Sequence, residues 1–295
     1  MPATLDVTLY TDPGCPWAYS ALPALRVLEW RYDAALRWRL VLIGLAESAD
    51  QYVSRGYTTL GRALGWTDFR ERFGMPFAPS PKARVAATGR GCRAVVAARI
   101  AAPGSEWAVL RALQLANFTT PLLLDDDAAV QAVLETVPGV DAAAIVARLD
   151  DPEVAEAYDR DRAEARTAAG SPSERQGKTA ATDGPVRYTA PSVVVARGDR
   201  RLEAGGWQTI EAYDVLVANL APDIDRRDAP DGVALLLERF PEGLTTQEVA
   251  ALLVRGNDAP DRLAAERMLI QAVADGVAAR APLGGDALWT PAARA

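Results

Sequence analysis

The sequence predicts an α/β protein in which a βαβ unit and a ββα unit are separated by a long helical segment and followed by a small C-terminal module. Three observations support this prediction. An apolar–polar alternation opens the chain, strand character is absent from residue 46 to residue 183, and a charged segment with two prolines precedes a last stretch of about 65 residues. A chain of 295 residues is long enough for more than one domain.

The first unit begins with a strand. Residues 5–10 alternate with period two, as a half-buried strand does. Pro13 and Gly14 end this strand. Pro16 suits the first turn of a helix, because a missing N–H costs nothing in that turn, and the helix is predicted to end near Tyr32. Residues 36–43 form the next predicted strand. Strand, helix and strand with short links predict a parallel pair.

Residues 46–183 have helical spacing and no convincing strand, so an all-helical insertion is expected. The helices are predicted at residues 80–101, 105–118, 127–136, 141–149 and 152–169, with a polar loop over residues 170–184. Strand character returns in residues 192–196. A turn at residues 197–199 leads to a partner strand at 200–204, and a helix over 208–220 closes the unit.

The C-terminal module follows a charged segment, residues 221–231, whose two prolines predict a linker at residues 222–230. The module, residues 231–295, is predicted to contain three helices and a hairpin, at residues 233–240, 245–253, 260–275, and 277–281 with 287–290. Thr245 and Glu248 fit a capping box at the start of the second helix. This order of elements resembles a winged-helix domain.

The charge of this module argues against a role in reading DNA. It carries nine acidic and six basic side chains, and its third helix has no basic stripe to meet phosphates. We expect instead a protein-contact or self-association role, with Leu263, Leu269 and Val273 in the core of the module. The expected domains are residues 1–45 with 184–221, residues 46–183, and residues 231–295.

Composition excludes several classes of function. The net charge of −7 argues against a general nucleic-acid partner, and no apolar run approaches the roughly 20 residues that span a bilayer. The start of the sequence does not look like a secretion signal, so a cytoplasmic protein with no membrane partner is expected. The absence of histidine excludes Ser-His-Asp and Cys-His catalysis and imidazole metal ligands. Two cysteines make no metal cluster, so no metal is expected.

Cys15 is the candidate reactive group. It lies in T-D-P-G-C-P-W-A-Y-S, residues 11–20, where the turn ends and the helix begins. Unpaired N–H groups and the helix dipole favour a thiolate there and can lower a thiol pKa from about 8.5 to roughly 3.5–7.5. The alternative is a small apolar residue that fills a turn.

Cys92 is predicted to be an inert packed thiol. It lies at core spacing in a stripe formed by Val85, Val95, Val96 and Ile100. A disulfide between Cys15 and Cys92 is left open, although cytosolic proteins seldom keep one.

Residues 5–220 resemble the DsbA family of thioredoxin-fold proteins, in particular its FrnE-like cytosolic branch. That branch has a motif like D-P-x-C-P-W-C-Y, and residues 12–19 of this chain read D-P-G-C-P-W-A-Y. The family's helical insertion corresponds to residues 46–183. Its cis-proline before the third strand matches Pro191 in Y-T-A-P-S. The resemblance implies a thioredoxin-like fold with a large helical insertion.

The resemblance also implies roles for individual residues. Cys15 would be the attacking thiol, and Trp17 would shape the rim of the cleft. Pro191, if cis, would lie close to Cys15 and leave the backbone of Ala190 free to pair with a bound peptide or a small thiol. The residues implied in substrate or thiol binding are Pro16, Trp17, Ala18, Ala190 and Pro191.

Ala18 departs from the family motif, which has a cysteine at this position. Alanine cannot resolve a mixed disulfide on Cys15. The leading hypothesis is therefore a thiol–disulfide oxidoreductase that acts through Cys15 on a small thiol or a protein disulfide. It has no bound cofactor, and an external thiol such as glutathione or mycothiol serves as co-substrate. The second hypothesis is an enzyme similar to kappa-class glutathione transferases and hydroxychromene-carboxylate isomerases. The third is a redox-inactive binding protein. A homodimer is left open.

Overall fold

The N-terminal βαβ unit is formed as the sequence predicts. The structure, a computed structural model, describes residues 4–293. Its first elements are β1 (Leu5–Thr11), α1 (Pro16–Ser20), α2 (Leu22–Tyr32) and β2 (Leu36–Leu42). β1 and β2 pair in parallel, from Leu5 opposite Leu36 to Thr11 opposite Leu42.

The first helix is interrupted between α1 and α2, which corrects the expectation of one continuous helix. Pro23 has no N–H to donate to the carbonyl of Tyr19 four residues earlier, so the helical hydrogen-bond ladder stops there. The Ala21 N–H instead donates to the Ala18 carbonyl at 3.2 Å. A new ladder starts where the Leu25 N–H donates to the Ala21 carbonyl at 3.1 Å. Cys15 therefore precedes a short helix of its own.

The helical segment contains more helices than the sequence predicts. They are α3 (Ala49–Val53), α4 (Thr59–Phe73), α5 (Gly89–Ala101), α6 (Glu106–Thr119), α7 (Asp127–Leu134), α8 (Ala142–Ala147), α9 (Pro152–Ala165) and α10 (Pro172–Arg175). The expected set lacks α3, α4 and α10. In α4, Gly61 and Gly65 weaken the helical pattern. The capping residue of α4, Thr58, accepts the Gly61 N–H at 3.0 Å and is a sequence signal for the start of this helix. No helix within residues 4–293 is long and apolar enough to cross a bilayer.

Two expected helix boundaries are wrong, because backbone N–H groups near them donate hydrogen bonds to carbonyls of other segments. The helix expected from residue 80 starts only with α5, since the Thr88 N–H donates to the Ala46 carbonyl at 2.9 Å. α9 also ends earlier than expected, close to where the Ala168 N–H donates to the Val186 carbonyl at 3.1 Å. Both segments satisfy their N–H groups through long-range contacts instead of helix.

The second half of the sheet brings the chain back beside β1. The elements are β3 (Thr179–Ala180), β4 (Arg187–Tyr188), β5 (Ser192–Arg197), β6 (Arg200–Gly205) and α11 (Ile210–Leu220), with α10 and β3 inside the expected loop. The main sheet has the order β2-β1-β5-β6, and β5 is antiparallel to both of its neighbours. Tyr10 pairs with Ser192, so Pro191 lies at the sheet edge where β1 leads towards Cys15.

β1 separates two apolar clusters, which confirms its predicted alternation. Val7 and Leu9 pack in the larger cluster with buried residues of α2, α5 and α11. Tyr10 packs in a smaller cluster with Cys15 and Ala18. The candidate thiol therefore lies on the face of the sheet opposite the main core.

The C-terminal module contains the expected helices and hairpin, and one additional short strand. Its elements are α12 (Val233–Arg239), β7 (Leu244–Thr245), α13 (Thr246–Leu252), α14 (Arg262–Ala274), β8 (Ala278–Leu283) and β9 (Asp286–Pro291). The predicted capping box between Thr245 and Glu248 is confirmed. Leu269 is buried as expected, but Leu263 and Val273 are 56% and 38% exposed. The expectation that these two residues belong to the core is wrong, because α14 packs through another face.

The module packs against α2 and α6. Val27 and Trp30 of α2 belong to the same buried cluster as the core of the module. Arg111 of α6 donates to both carboxylate oxygens of Glu248, at 2.6 and 2.8 Å, and to the Gly243 carbonyl at 2.8 Å. Burial raises the pKa of Glu248, but the charge and hydrogen bonds of Arg111 outweigh that effect, and the net pKa is lowered. Glu248 is therefore a buried carboxylate that depends on Arg111.

Arg111→Met should lower the free energy of unfolding by about 3 kcal/mol, because it leaves the charge of Glu248 buried without its main partner. Chemical denaturation followed by circular dichroism measures this loss. The matched control is Arg37→Met, which removes an exposed ion pair with Asp6 and should cost less than about 1 kcal/mol. Equal losses in the two variants would contradict an anchoring role for Arg111.

Candidate active site

Cys15 occupies the N-cap position of α1, as the sequence predicts. Its backbone is extended, with φ −87° and ψ 115°, and Pro16 takes the first helical position. The Cys15 N–H donates to the Asp12 carbonyl at 3.2 Å, and the Cys15 carbonyl accepts the Tyr19 N–H at 3.0 Å. The turn and the first helical bond thus fix the thiol at the start of the helix.

The residue before Pro191 contacts Cys15 at the sheet edge. The Ala190–Pro191 peptide bond is cis, which confirms that prediction. The Cys15 thiol donates a hydrogen bond to the Ala190 carbonyl oxygen at 3.1 Å. Ala18, next to Cys15 in the smaller cluster, is buried as well. Cys15, Ala18 and Ala190 are therefore brought together, as the resemblance implied.

The pKa of Cys15 moves in the direction opposite to the expected one. Burial raises the pKa of this thiol to about 12, since only 5% of the residue is exposed. The N–H groups of Ala18 and Trp17 favour the thiolate, as expected at a helix start, while the nearby carboxyl of Asp12 opposes it. Desolvation is the largest of these effects, so the thiol is neutral at pH 7 in this structure. Sequence spacing contains no information about this burial.

Asp12 is a site residue to which the sequence alone assigns no role. Its carboxyl accepts the N–H groups of Gly14 and Leu45, both at 2.8 Å, and the Thr88 hydroxyl at 2.9 Å. The group is fully buried, and burial raises its pKa against these hydrogen bonds. An acidic residue directly after an apolar strand was the available signal. Asp12 ties the loop that carries Cys15 to two other segments.

Cys92 is buried, as predicted, but its surroundings differ from the expected stripe. Its thiol points towards Asp12, with 3.5 Å between Sγ and the carboxyl oxygen. Burial first, and then the nearby Asp12, raise the pKa of Cys92 well above its usual range. Val85 lies outside α5 and packs with Ala46 instead. Both cysteines are free thiols, which excludes a disulfide between them in this structure.

A cleft of about 720 Å³ opens above Cys15. Its aromatic lining residues are Trp17, Tyr52, Tyr57, Trp66, Phe69 and Trp207. Trp17 is 40% exposed and packs edge-on against Phe69 and Phe73, so it lies at the rim as the resemblance implied. One wall comes from α4, one of the helices absent from the sequence prediction. No cluster of potential metal ligands occurs among residues 4–293.

The charged side chains that line the cleft are all basic. They are Arg55, Arg62, Lys178 and Arg187, and no acidic residue joins them. Arg187 forms an ion pair with Asp183 at 3.3 Å. In the part of the chain that the structure describes, Arg55, Arg62 and Lys178 have no carboxylate within ion-pair distance. In a chain of net charge −7, this concentration of free positive charge favours an anionic ligand.

Comparison with known proteins identifies the family. A model of the DSBA-like thioredoxin domain matches residues 6–173, and the chain belongs to that family. Two solved structures share its fold. A protein of Streptomyces coelicolor described as a probable DsbA oxidoreductase is 17% identical with a TM-score of 0.56, covering 74% of this chain and 91% of its own. A Nitrosomonas europaea protein, provisionally described as a protein disulfide isomerase, is 16% identical with a TM-score of 0.55, covering 73% and 97%.

These findings confirm the predicted thioredoxin-like DsbA fold. The cytosolic disulfide reductase DsbM of Pseudomonas aeruginosa is also similar, at 17% identity, with a TM-score of 0.47 and 68% of this chain and 88% of its own covered. No curated protein sequence matches the chain. At these identities the solved structures define the fold alone.

Alkylation of Cys15 by iodoacetamide should accelerate roughly tenfold per pH unit from pH 6 to pH 9, because the thiolate fraction rises in this way below a raised pKa. Mass spectrometry of the modified peptide measures the rate. Free cysteine is the reference and should level off near its own pKa of about 8.5. A rate that is already constant below pH 8 would instead indicate the lowered pKa that the sequence predicts.

Proposed function

We propose that this protein is a thiol–disulfide oxidoreductase that acts through Cys15 alone and depends on an external low-molecular-weight thiol. The supporting observation is the pair of Cys15 and Ala18. Cys15 lies at the floor of an open cleft, and Ala18 takes the position at which a resolving sulfur would stand. No second cysteine is therefore in position to resolve a mixed disulfide on Cys15.

The proposed reaction has two exchange steps. The Cys15 thiolate attacks one sulfur of a substrate disulfide, so a bond to Cys15 forms, the substrate S–S bond breaks, and the leaving thiolate takes a proton. An external thiolate then attacks the substrate sulfur of the mixed disulfide and releases the Cys15 thiolate, which takes up a proton. The released product is a mixed disulfide between the substrate and the external thiol. A second external thiolate attacks this disulfide and frees the substrate thiol, and only then has the substrate disulfide gained two electrons and two protons.

Activation of Cys15 requires loss of its proton. In the free protein the Ala190 carbonyl accepts the thiol hydrogen bond, which favours the neutral form. A substrate N–H that pairs with this carbonyl would remove the acceptor and leave the helical N–H groups of Trp17 and Ala18 to stabilise the thiolate. Pro16 lines the same cleft and would border this substrate, whereas Pro191 borders a separate cavity. In this proposal, substrate binding and thiol activation occur together.

Ala18→Cys should create a dithiol that reduces a small model disulfide at least roughly tenfold faster than the wild type, because an internal thiol acts at a high effective concentration. The added sulfur has space, since Ala18 borders a second cavity. The wild type should form an adduct with oxidised glutathione on Cys15, detected by mass spectrometry. Cys15→Ser should abolish this adduct.

Cys92→Ser is the matched control for the adduct and should retain it, because Cys92 is fully buried. If Ala18→Cys forms no disulfide with Cys15 and the wild type forms no adduct, the oxidoreductase proposal is wrong. The redox-inactive binding protein would then be the better description.

A thiol-dependent transferase or isomerase is the second candidate, and the protonation state of Cys15 favours it. A neutral thiol can donate a hydrogen bond to the sulfur anion of a bound co-substrate, instead of attacking it. The unpaired Arg62 and Lys178 and the aromatic walls would hold an anionic molecule without a covalent bond. In this candidate, Cys15 orients the co-substrate.

The cleft should bind anionic thiol derivatives more tightly than neutral or cationic ones. S-Methylglutathione cannot form a disulfide, and it should bind at least about tenfold more tightly than its diethyl ester at low salt. Tryptophan fluorescence follows the titration, because Trp17, Trp66 and Trp207 line the cleft. Arg62→Gln and Lys178→Gln should each reduce this preference. Arg267→Gln, on exposed α14, is the matched control. Equal affinity for acid and ester would contradict an anionic co-substrate.

The FrnE-like branch and a cytoplasmic location are part of this proposal, supported by the D-P-G-C-P-W run at residues 12–17. We also propose that the C-terminal module, with its winged-helix-like order, contacts protein and does not read DNA. α14 exposes Leu263, Ile270 and Val273, which is an apolar and not a basic surface. Self-association through this surface is one form of such contact.

A further inference from the structure

α14 presents one face to the core of the C-terminal module and the opposite face to solvent. Ala265, Leu269 and Ala272 are the buried residues of this helix. The solvent face carries residues at successive spacings of four, three and four, which align along one side of a helix. These residues are Leu263, Arg267, Ile270 and Ala274, and all four are exposed.

The solvent face of α14 is largely apolar. Leu263 and Ile270 lie about two turns apart, and more than half of each residue is exposed. Val273 is also exposed, beside Ile270. Ala274 adds a small side chain, which lets another helix approach closely. Exposed apolar residues with this spacing are typical of contacts between helices.

Two charged residues of opposite sign accompany the apolar residues. Arg267 lies on the solvent face, Asp275 directly follows the last residue of α14, and both are exposed. Neither forms an ion pair within residues 4–293. One carboxylate oxygen of Asp275 accepts a hydrogen bond from the Gln271 side-chain amide at 2.8 Å. At 3.6 residues per turn, both charges lie on the same flank of the apolar residues, about 12 Å apart along the helix axis.

These charges select one arrangement for two copies of α14. In a parallel pair, Arg267 would face Arg267 and Asp275 would face Asp275, which is repulsive. In an antiparallel pair with a two-fold axis near Ile270, Arg267 of each copy meets Asp275 of the other. The same axis brings the two Ile270 side chains together. The solvent face of α14 is therefore complementary to itself, which a surface for a different protein does not require.

The neighbouring strand is a poorer site for association. β8 follows α14 and is the edge strand of the module's sheet, whose order is β7-β9-β8. Pro282 lies within β8 and has no N–H to donate to an added strand. A contact between helices is therefore favoured over strand pairing.

We propose that α14 pairs with α14 of a second copy of this chain as a symmetric antiparallel dimer. This inference rests on the protein-contact role proposed above for the module, and it names the partner. The helix is about 20 Å long and about 10 Å wide, so the pairing buries less than the roughly 800 Å² per partner of a standard interface. The dimer should therefore be reversible, with a Kd of about 10–100 μM.

Sedimentation velocity of the full-length protein measures the association. The wild type should shift from monomer to dimer between about 1 and 500 μM. Ile270→Glu should stay monomeric over this range, because it places two carboxylates at the two-fold axis. Val215→Glu makes a comparable change at an exposed position of α11 and should dimerise like the wild type. A wild type that is monomeric at the highest concentration, or a dimer that Ile270→Glu leaves intact, would overturn the proposal.

Exchange of the charges tests the orientation of the two helices. Arg267→Asp and Asp275→Arg should each weaken self-association at least about tenfold at low salt, because each charged pair across the interface becomes repulsive. An equimolar mixture of these two variants should associate again, since each variant supplies the charge that the other needs. A mixture that stays monomeric, while both variants have the circular dichroism spectrum of the wild type, would overturn the antiparallel arrangement.

Failure of the dimer can be distinguished from failure of the other proposals. The glutathione adduct on Cys15 tests the reaction, and Ile270→Glu should form it to the same extent as the wild type. Salt-sensitive binding of duplex DNA to the full-length protein would overturn the protein-contact role of the module. A monomeric wild type without DNA binding would overturn only the self-association.

Discussion

The buried carboxyl of Asp12 is the interaction on which the site depends. It accepts hydrogen bonds from the Gly14 and Leu45 N–H groups and from the Thr88 hydroxyl, and so joins the loop after β1, the segment after β2 and the start of α5. The loop passes so close to α5 that a Cβ at residue 14 would collide with the Thr88 methyl group, which explains the glycine. The position of Cys15 at the start of α1 follows from this fixed loop.

Burial of Cys15 determines the chemistry of its thiol. Cys15 lies where helical N–H groups favour an anion, yet the surrounding apolar cluster removes the water that would solvate it. The free protein therefore keeps a neutral thiol that donates to the Ala190 carbonyl. The two proposed functions differ in which sulfur carries the charge. In the oxidoreductase it is Cys15 after substrate binding, and in the transferase or isomerase it is the bound co-substrate.

α6 links the thioredoxin-like domain to the C-terminal module and borders both. Arg111 extends from this helix to Glu248, whose carboxylate also completes the capping box of α13. The contacts with Glu248 and the Gly243 carbonyl satisfy two nitrogens of Arg111, and the third, Nε, is buried without a hydrogen-bond partner among residues 4–293. One arginine therefore connects α6 both to the first turn of α13 and to the loop before β7.

The sequence by itself determined the fold and the central pair of the site. Alternation in β1, the D-P-G-C-P-W-A-Y run and the proline before β5 are local signals, and they sufficed to place Cys15 beside the cis Ala190–Pro191 peptide bond. The tertiary structure alone decided the protonation of Cys15, the role of Asp12 and the basic wall that includes Arg62. Each of these depends on segments far apart in the chain, and no local pattern records how much water their packing excludes. The same reason explains why the core prediction for Leu263 is wrong, since this residue has core spacing but lies on the solvent side of α14.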